Sequence, residues 1–181
     1  MKFVIFNSHA GKNDQSRTDA ENFAARFGNE AKLLSVSDVD YAELVSGLGA
    51  DDEIYLFGGD GTLNRFINNT DGIDIVQPLY FFPTGTGNDF WNDLGKKVGD
   101  APVQINEYIK DLPFVEVNGM KKRFINGIGY GIDGYCCEVG DQMREAGKEK
   151  IDYAGIAIKG LLFHYKPTNA EIDVDGQKFS Y

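Results

Sequence analysis

Residues 53–64 form the segment Glu-Ile-Tyr-Leu-Phe-Gly-Gly-Asp-Gly-Thr-Leu-Asn, in which a short apolar run leads directly into a glycine-rich loop. A second segment of the same kind, Leu-Tyr-Phe-Phe-Pro-Thr-Gly-Thr-Gly-Asn-Asp-Phe, occupies residues 79–90. Loops that turn from strand to helix without side chains expose backbone N–H groups, which bind phosphate together with the positive end of the helix dipole. Two such loops in one short chain predict a nucleotide-binding α/β fold.

Strands and helices alternate over the first half of the chain. Four apolar runs predict strands, and they lie at residues 2–6, 31–36, 53–57 and 79–82. Between them Thr18-x-x-Glu21 resembles a capping box, and Ser37 is a candidate cap for the next helix. This order predicts a mostly parallel sheet with helices on its faces, in a three-layer arrangement. Ligands of such sheets bind beyond the carboxyl ends of the strands, where both glycine loops lie.

The pattern changes near residue 113. Residues 114–126 predict a hairpin that turns on Asn118-Gly119, and the glycine-rich residues that follow, through Gly134, predict further strands. Helical patterns then cover residues 139–150 and 153–165, and a last hairpin is predicted around Asp175-Gly176. We therefore predict a nucleotide-binding domain at residues 1–113 and the beginning of a β-rich domain at residues 114–181. Because the final strand is barely started, its edge would lack a partner, and we expect a fragment of a longer protein.

Composition restricts the partners and the compartment. Acidic residues outnumber basic ones by 28 to 18, which makes nucleic acid a poor partner and requires a local basic or apolar patch for any peripheral membrane contact. The sequence predicts no transmembrane segment, and the first apolar run is too short for a signal peptide. Cys136 and Cys137 are adjacent and are expected to be reduced residues of a strand. We expect a cytoplasmic protein whose oligomeric state is open, a homodimer included.

The two glycine loops do not match the most common phosphate motifs. Gly11-Lys12 is followed by Asn13, and no Gly-x-Gly-x-x-Gly follows a strand. The loops resemble those of the diacylglycerol kinase catalytic-domain family of lipid kinases, which carries Gly-Gly-Asp-Gly-Thr followed by Leu/Ile-Asn, and later Pro-x-Gly-Thr-x-Asn-Asp-Phe. Residues 58–64 and 83–90 match both motifs. The resemblance implies ATP-dependent transfer of the γ-phosphate to a lipid hydroxyl, such as that of diacylglycerol, with Mg²⁺ as cofactor.

The resemblance also indicates the residues of the site. Asp60 is the candidate catalytic residue, because its carboxylate can bond ribose hydroxyls, loop amides or metal-bound water; capping of its own helix is the alternative. Asn88 and Asp89 are expected either to cap locally or to reach a hydrated Mg²⁺. Asp133 resembles a family residue that faces the lipid headgroup or metal, and a structural turn is equally open. The candidate nucleotide-binding residues are Asn7, Gly11, Gly58, Gly59, Asp60, Gly61, Thr62, Leu63, Asn64, Gly85, Thr86, Gly87, Asn88 and Asp89.

Two positions depart from the family pattern, and two alternative functions stay open. Ser8 replaces a proline, and Arg65 replaces an acidic residue. NAD kinases share the first loop, although their second loop has an Asn-x-Gly-x-x-Gly-Phe type of sequence; a non-catalytic nucleotide-binding module is the other alternative.

The resemblance assigns the general base to an Asp-Gly-Glu segment that this sequence lacks. We therefore expect these 181 residues alone to bind nucleotide weakly and to phosphorylate little or nothing.

Overall fold

The structure is a computed structural model that describes residues 1–10, 14–85, 87–148, 151–164, 166 and 169–180. The chain divides into two compact units, Met1–Gly127 and Ile128–Tyr181. The hairpin that begins at Phe114 lies in the first unit. The boundary that the sequence pattern suggests at residues 113 and 114 stays a prediction about domain organisation.

The first unit is built around a five-stranded sheet. Its strands are β1 (Lys2–Phe6), β2 (Ala31–Ser35), β3 (Glu53–Gly58), β4 (Leu79–Pro83) and β5 (Val103–Gln104). Its helices are α1 (Gln15–Ala25), α2 (Tyr41–Gly47), α3 (Asp60–Asn69), α4 (Asp89–Asp93) and α5 (Asn106–Ile109), and β6 (Phe114–Val117) and β7 (Met120–Arg123) form a separate hairpin. The sheet order is β2-β1-β3-β4-β5; β1 to β4 pair in parallel, and β5 is antiparallel to β4. The predicted α/β class with a mostly parallel sheet is confirmed.

Both faces of the sheet are covered, which is why its strands are continuous apolar runs. On one face Leu56 and Phe81, both fully buried, pack in the same cluster as Leu63 and Phe66 of α3. On the other face Phe57 belongs to a second cluster that includes residues of α1. Burial of each such side chain stabilises the fold by roughly 1.5–3 kcal/mol. The α3 helix is therefore held by its apolar stripe, and its amino-terminal end is fixed where β3 ends.

The starts of two helices differ from the sequence prediction. Helix α1 begins at Gln15, so Thr18 lies inside it and does not cap it. The residue before α1, Asp14, has φ 54° and makes no side-chain capping bond. Helix α2 is capped by Asp40, whose carboxylate accepts a hydrogen bond from the Glu43 amide at 3.0 Å. The chain turns after β2 before it can enter the helix, and this turn moves the cap from Ser37 to Asp40.

The second unit contains α6 (Ile132–Glu145), α7 (Tyr153–Lys159), a π-helical turn (Gly160–His164) and a hairpin of β8 (Glu171–Val174) and β9 (Gln177–Ser180). The strands predicted through residue 134 are wrong, and Cys136 and Cys137 are free thiols in a helix. A Cβ on Gly140 would lie 2.7 Å from the ring of Tyr153, so this glycine permits close packing between α6 and α7. No helix among the described residues has the length and apolar character needed to span a membrane.

Local turn chemistry identifies both hairpins correctly. Asn118 and Gly119 have φ angles of 51° and 77°, and Asp175 and Gly176 have φ angles of 52° and 82°. Two consecutive positive φ angles are typical of the tight turns that match the twist of paired strands, and Asn-Gly and Asp-Gly favour them. These two elements were predictable because the four residues of each turn determine the geometry.

Candidate functional site

The two glycine loops leave neighbouring strands at the same edge of the sheet. Gly58 at the end of β3 is in register with Pro83 at the end of β4, and the Thr84 amide donates to the Gly58 carbonyl at 2.9 Å. Beyond this point the two backbones touch. A Cβ added to Gly85 would lie 2.7 Å from the Cα of Gly59. Side chains are excluded at this contact, which explains why both loops need glycine there.

The first loop leads from β3 into the amino-terminal end of α3. The amides of Thr62 and Leu63 both donate to the Gly59 carbonyl, at 2.9 and 3.1 Å. Within the described residues, no protein acceptor contacts the amides of Asp60 and Gly61. A Cβ on Gly61 would meet no atom within 4 Å, so open space adjoins this residue. Free donors at the positive end of a helix dipole are typical of anion-binding sites.

Asp60 joins the first loop to the second. Its Oδ2 accepts a hydrogen bond from the Asp89 amide at 2.8 Å, and its Oδ1 accepts one from the Phe90 amide at 3.2 Å. These amides are the first donors of α4, so Asp60 caps α4 from outside. It does not cap α3, because that helix already includes Asp60 and is preceded by Gly59 as its cap residue. The predicted contact of this carboxylate with loop amides is present, and its predicted contacts with ribose hydroxyls and metal-bound water stay predictions.

The second loop has a buried asparagine and an exposed carboxylate. Asn88 is 4% exposed and has φ 55°, and its Nδ2 donates to the Gly85 carbonyl at 2.8 Å. In the described part of the chain its Oδ1 has no hydrogen-bond partner, although it is buried. Asp89 is exposed at the start of α4. A Cβ on Gly87 would lie 3.8 Å from Oδ2 of Asp60 and 3.9 Å from Oδ2 of Asp89, so an oxygen of each carboxylate lies close to the same point beside Gly87.

Asn7, which directly follows β1, lies at the same edge of the sheet. Its Nδ2 donates to Oγ1 of Thr62 at 2.8 Å, and its Oδ1 accepts a bond from the His9 amide at 3.0 Å. Ser16, which the sequence did not indicate, is fully buried; its hydroxyl donates to the Phe57 carbonyl at 3.0 Å and accepts from the Asn7 amide at 3.3 Å. A serine inside an ordinary helical pattern carries no sequence signal for such a role.

The remaining predicted residues differ in what they can contact. The side chain of Leu63 is fully buried in the core, so only its backbone could reach a ligand. Gly11 and Thr86 lie outside the described residues. Asp133 belongs to the second unit, where it is exposed in the first turn of α6, and its Cβ would lie 2.4 Å from a Cβ added to Gly129. Asn64, on the first helical turns of α3, is half-buried and contacts Asn68, a residue that sequence analysis also missed.

The carboxylates at the site fit one kind of metal. Among the described residues, no group of three or more histidine, cysteine, aspartate and glutamate side chains converges on a point. Asp60 and Asp89 place carboxylate oxygens beside the amino-terminal end of α3. Mg²⁺ keeps several of its waters and is bound through one or two carboxylates together with substrate phosphates, so this pair suits it. A structural zinc site, which needs four protein ligands, does not fit.

The mostly parallel α/β sheet, with two glycine-rich loops of the kind that binds phosphate in other proteins, defines the fold class. Sequence similarity defines the family. Residues 2–115 match the diacylglycerol kinase catalytic domain, and the chain belongs to that family. It is 31% identical to the diacylglycerol kinase of Bacillus subtilis (strain 168) over 148 residues, which cover 78% of this chain and 47% of that protein.

The fold is also similar to a solved structure. A diacylglycerol kinase crystal structure from Bacillus anthracis str. Sterne aligns with a TM-score of 0.57 and 27% sequence identity, over 99% of this chain and 60% of that one. The chain spans about half the length of the curated relatives it matches.

Proposed function

We propose that this protein, in the length typical of its family, is a lipid kinase that transfers the γ-phosphate of ATP to a lipid hydroxyl. The observation that carries the proposal is the direct backbone contact between Gly59 and Gly85, which brings two phosphate-type loops to one sheet edge. Family membership supports the kinase class, and the relative named as a diacylglycerol kinase makes diacylglycerol the first acceptor to test.

The arrangement suits phosphoryl transfer because that reaction depends mainly on positioning and on electrostatic stabilisation. The open amides of Asp60 and Gly61 would bind phosphate oxygens at the start of α3. Asp60 and Asp89 would hold Mg²⁺ through its water ligands, and the ion would neutralise phosphate charge there. Asp60 also keeps the second loop against the first through the Asp89 and Phe90 amides. Its removal should therefore impair both the shape of the site and its charge.

A γ-phosphate transfer assay tests the proposal. The family-length protein is given radiolabelled ATP, mixed membrane lipids and NAD in the same reaction. Label in a lipid product supports the proposal and begins to identify the acceptor. Label in NADP alone would replace it with an NAD kinase-like function, and nucleotide binding without any transfer would indicate a non-catalytic module.

The assay includes one site variant and one matched control. Asp60→Asn should reduce transfer by at least a hundredfold, because removal of one charge-stabilising group at a reacting centre costs about that much. Asp74→Asn removes the same charge from an exposed residue between α3 and β4, at the other end of the sheet, and should keep wild-type activity. Equal activity of Asp60→Asn and the wild type would contradict the assigned site.

A further inference from the structure

The backbone of β7 fixes the orientation of the Asn68 side chain, which lies in the last turn of α3. Oδ1 of Asn68 accepts a hydrogen bond from the Arg123 amide at 2.9 Å, and Nδ2 donates to the Arg123 carbonyl at 3.0 Å. A backbone amide can only donate and a carbonyl can only accept. Only one of the two amide orientations makes both bonds, so the flip that is usually open to an asparagine is excluded here.

The same nitrogen of Asn68 faces Asn64, one turn earlier on the helix. Nδ2 lies 2.9 Å from the Asn64 carbonyl and 3.4 Å from the Asn64 side-chain oxygen, Oδ1. Nδ2 has two hydrogens, and the Arg123 and Asn64 carbonyls accept them at 3.0 and 2.9 Å, so the contact with Oδ1 at 3.4 Å is a shared, weaker one. Because Nδ2 can only donate, this contact favours the oxygen of the Asn64 side chain, and not its nitrogen, on the side of Asn68. The Asn64 Nδ2 group is therefore directed away from Asn68, and no acceptor for it is found in the described parts of the chain.

We infer that Asn68 is a positioning residue that keeps Asn64 ready to donate a hydrogen bond to an oxygen of the bound nucleotide. The inference rests on the proposed function. Asn64 is half-buried and follows the open amides of Asp60 and Gly61 on the same helix. In the orientation that Asn68 sets, Asn64 offers N–H groups to phosphate oxygens or to the oxygens of ribose. In the flipped orientation its own oxygen would face these acceptors and repel them.

Arg123 of β7 makes further contacts that do not involve Asn68, and one of them supplies a control. Arg123 also donates from its guanidinium to Asp71 at 2.6 Å and to the Leu112 carbonyl at 2.9 Å. Asp71→Asn weakens the attachment of the Arg123 side chain to the turn that follows α3 and leaves the contact between Asn68 and Asn64 intact. Asn68→Asp keeps an acceptor for the Arg123 amide. It loses the donor to the Arg123 and Asn64 carbonyls and presents an oxygen that attracts the nitrogen of the Asn64 side chain.

Binding of Mg²⁺-ATP to the family-length protein, measured by calorimetry, tests the inference. Asn68→Asp should raise the Kd about tenfold, the effect of losing one hydrogen bond to a charged oxygen. Asp71→Asn should stay within twofold of the wild type. Fluorescence of the single tryptophan, Trp91, verifies that each variant is folded. An unchanged Kd in folded Asn68→Asp would overturn this inference alone, whereas a wild-type family-length protein without ATP binding would overturn the proposed function as well.

A double variant separates orientation from charge, because Asn68→Asp also adds a negative charge. In an Asn64→Ala background, Asn68→Asp should change the Kd by less than twofold, since there is no side-chain amide left to turn. A tenfold loss that persists in this background would assign the effect to charge repulsion and overturn the inference. Inorganic tripolyphosphate identifies the acceptor: a loss shared with ATP assigns it to phosphate, and a loss seen only with ATP assigns it to the nucleoside.

Discussion

Substitution of the two loop glycines by alanine should have opposite effects on stability. A Cβ on Gly85 would lie 2.7 Å from the Cα of Gly59 and 3.0 Å from Oδ1 of Asn88, well inside ordinary contact distance. Relief of this overlap requires the two loops to move apart. Overpacking of this kind costs about 1–3 kcal/mol. Gly61 lies in the first turn of α3 with nothing near its Cβ position, so Gly61→Ala should be neutral or stabilise the fold by up to about 1 kcal/mol.

Urea unfolding followed by Trp91 fluorescence measures this difference. Trp91 is fully buried in α4 and is the only tryptophan, so it reports on the first unit. At a slope of about 2 kcal/mol per M, Gly85→Ala should lower the midpoint by roughly 0.5–1.5 M. Equal midpoints for Gly85→Ala and the wild type would refute the backbone contact between the loops. Gly61→Ala should fold well and yet bind ATP poorly, because its methyl group would enter the space beside the open amides.

Three further outcomes are expected from the hydrogen bonds described above. Asp60→Asn should destabilise the first unit by about 1–2 kcal/mol in the same urea assay, because an amide can accept only one of the two bonds to α4. Asp40→Ala should cost about 1 kcal/mol through loss of the α2 cap, and Asp40→Ser should restore most of it. Asp71→Asn should cost less than about 1 kcal/mol at pH 7, since the ion pair is exposed. The hydrogen bond from Arg123 lowers the pKa of Asp71, so this contribution is present above about pH 4, the ordinary pKa of aspartate, and is lost as the pH falls through the lowered value. Urea unfolding at pH 7 and in acid should therefore show a difference only at pH 7, and an equal difference at both pH values would contradict the ion-pair explanation.

Helix boundaries were harder to predict than strands because capping depends on the path of the chain. Thr18 and Ser37 have suitable side chains, but the helices begin at Gln15 and Tyr41. Where a helix starts depends on where the preceding strand releases the chain, and a local pattern does not contain that information. The glycine-rich residues before Gly134 were misassigned for a related reason. Gly129 lies against Asp133 in the first turn of α6, where an added Cβ would be 2.4 Å from the Cβ of Asp133, and a strand-like pattern along the chain does not reveal this contact.

The amino-acid sequence by itself determined where the apolar strands lie, that most of them pair in parallel, where both hairpins turn, and which two glycine-rich loops follow strands. Each of these depends on residues that are close together in the chain, on burial patterns or on turn preferences that a short segment already contains. Only the tertiary structure decided what the polar side chains do. Asp60 caps a helix 29 residues away, and Asn68 is oriented by a backbone 55 residues away. A hydrogen bond depends on distance and direction in space, so partners that meet only after the sheet has formed leave no pattern along the chain.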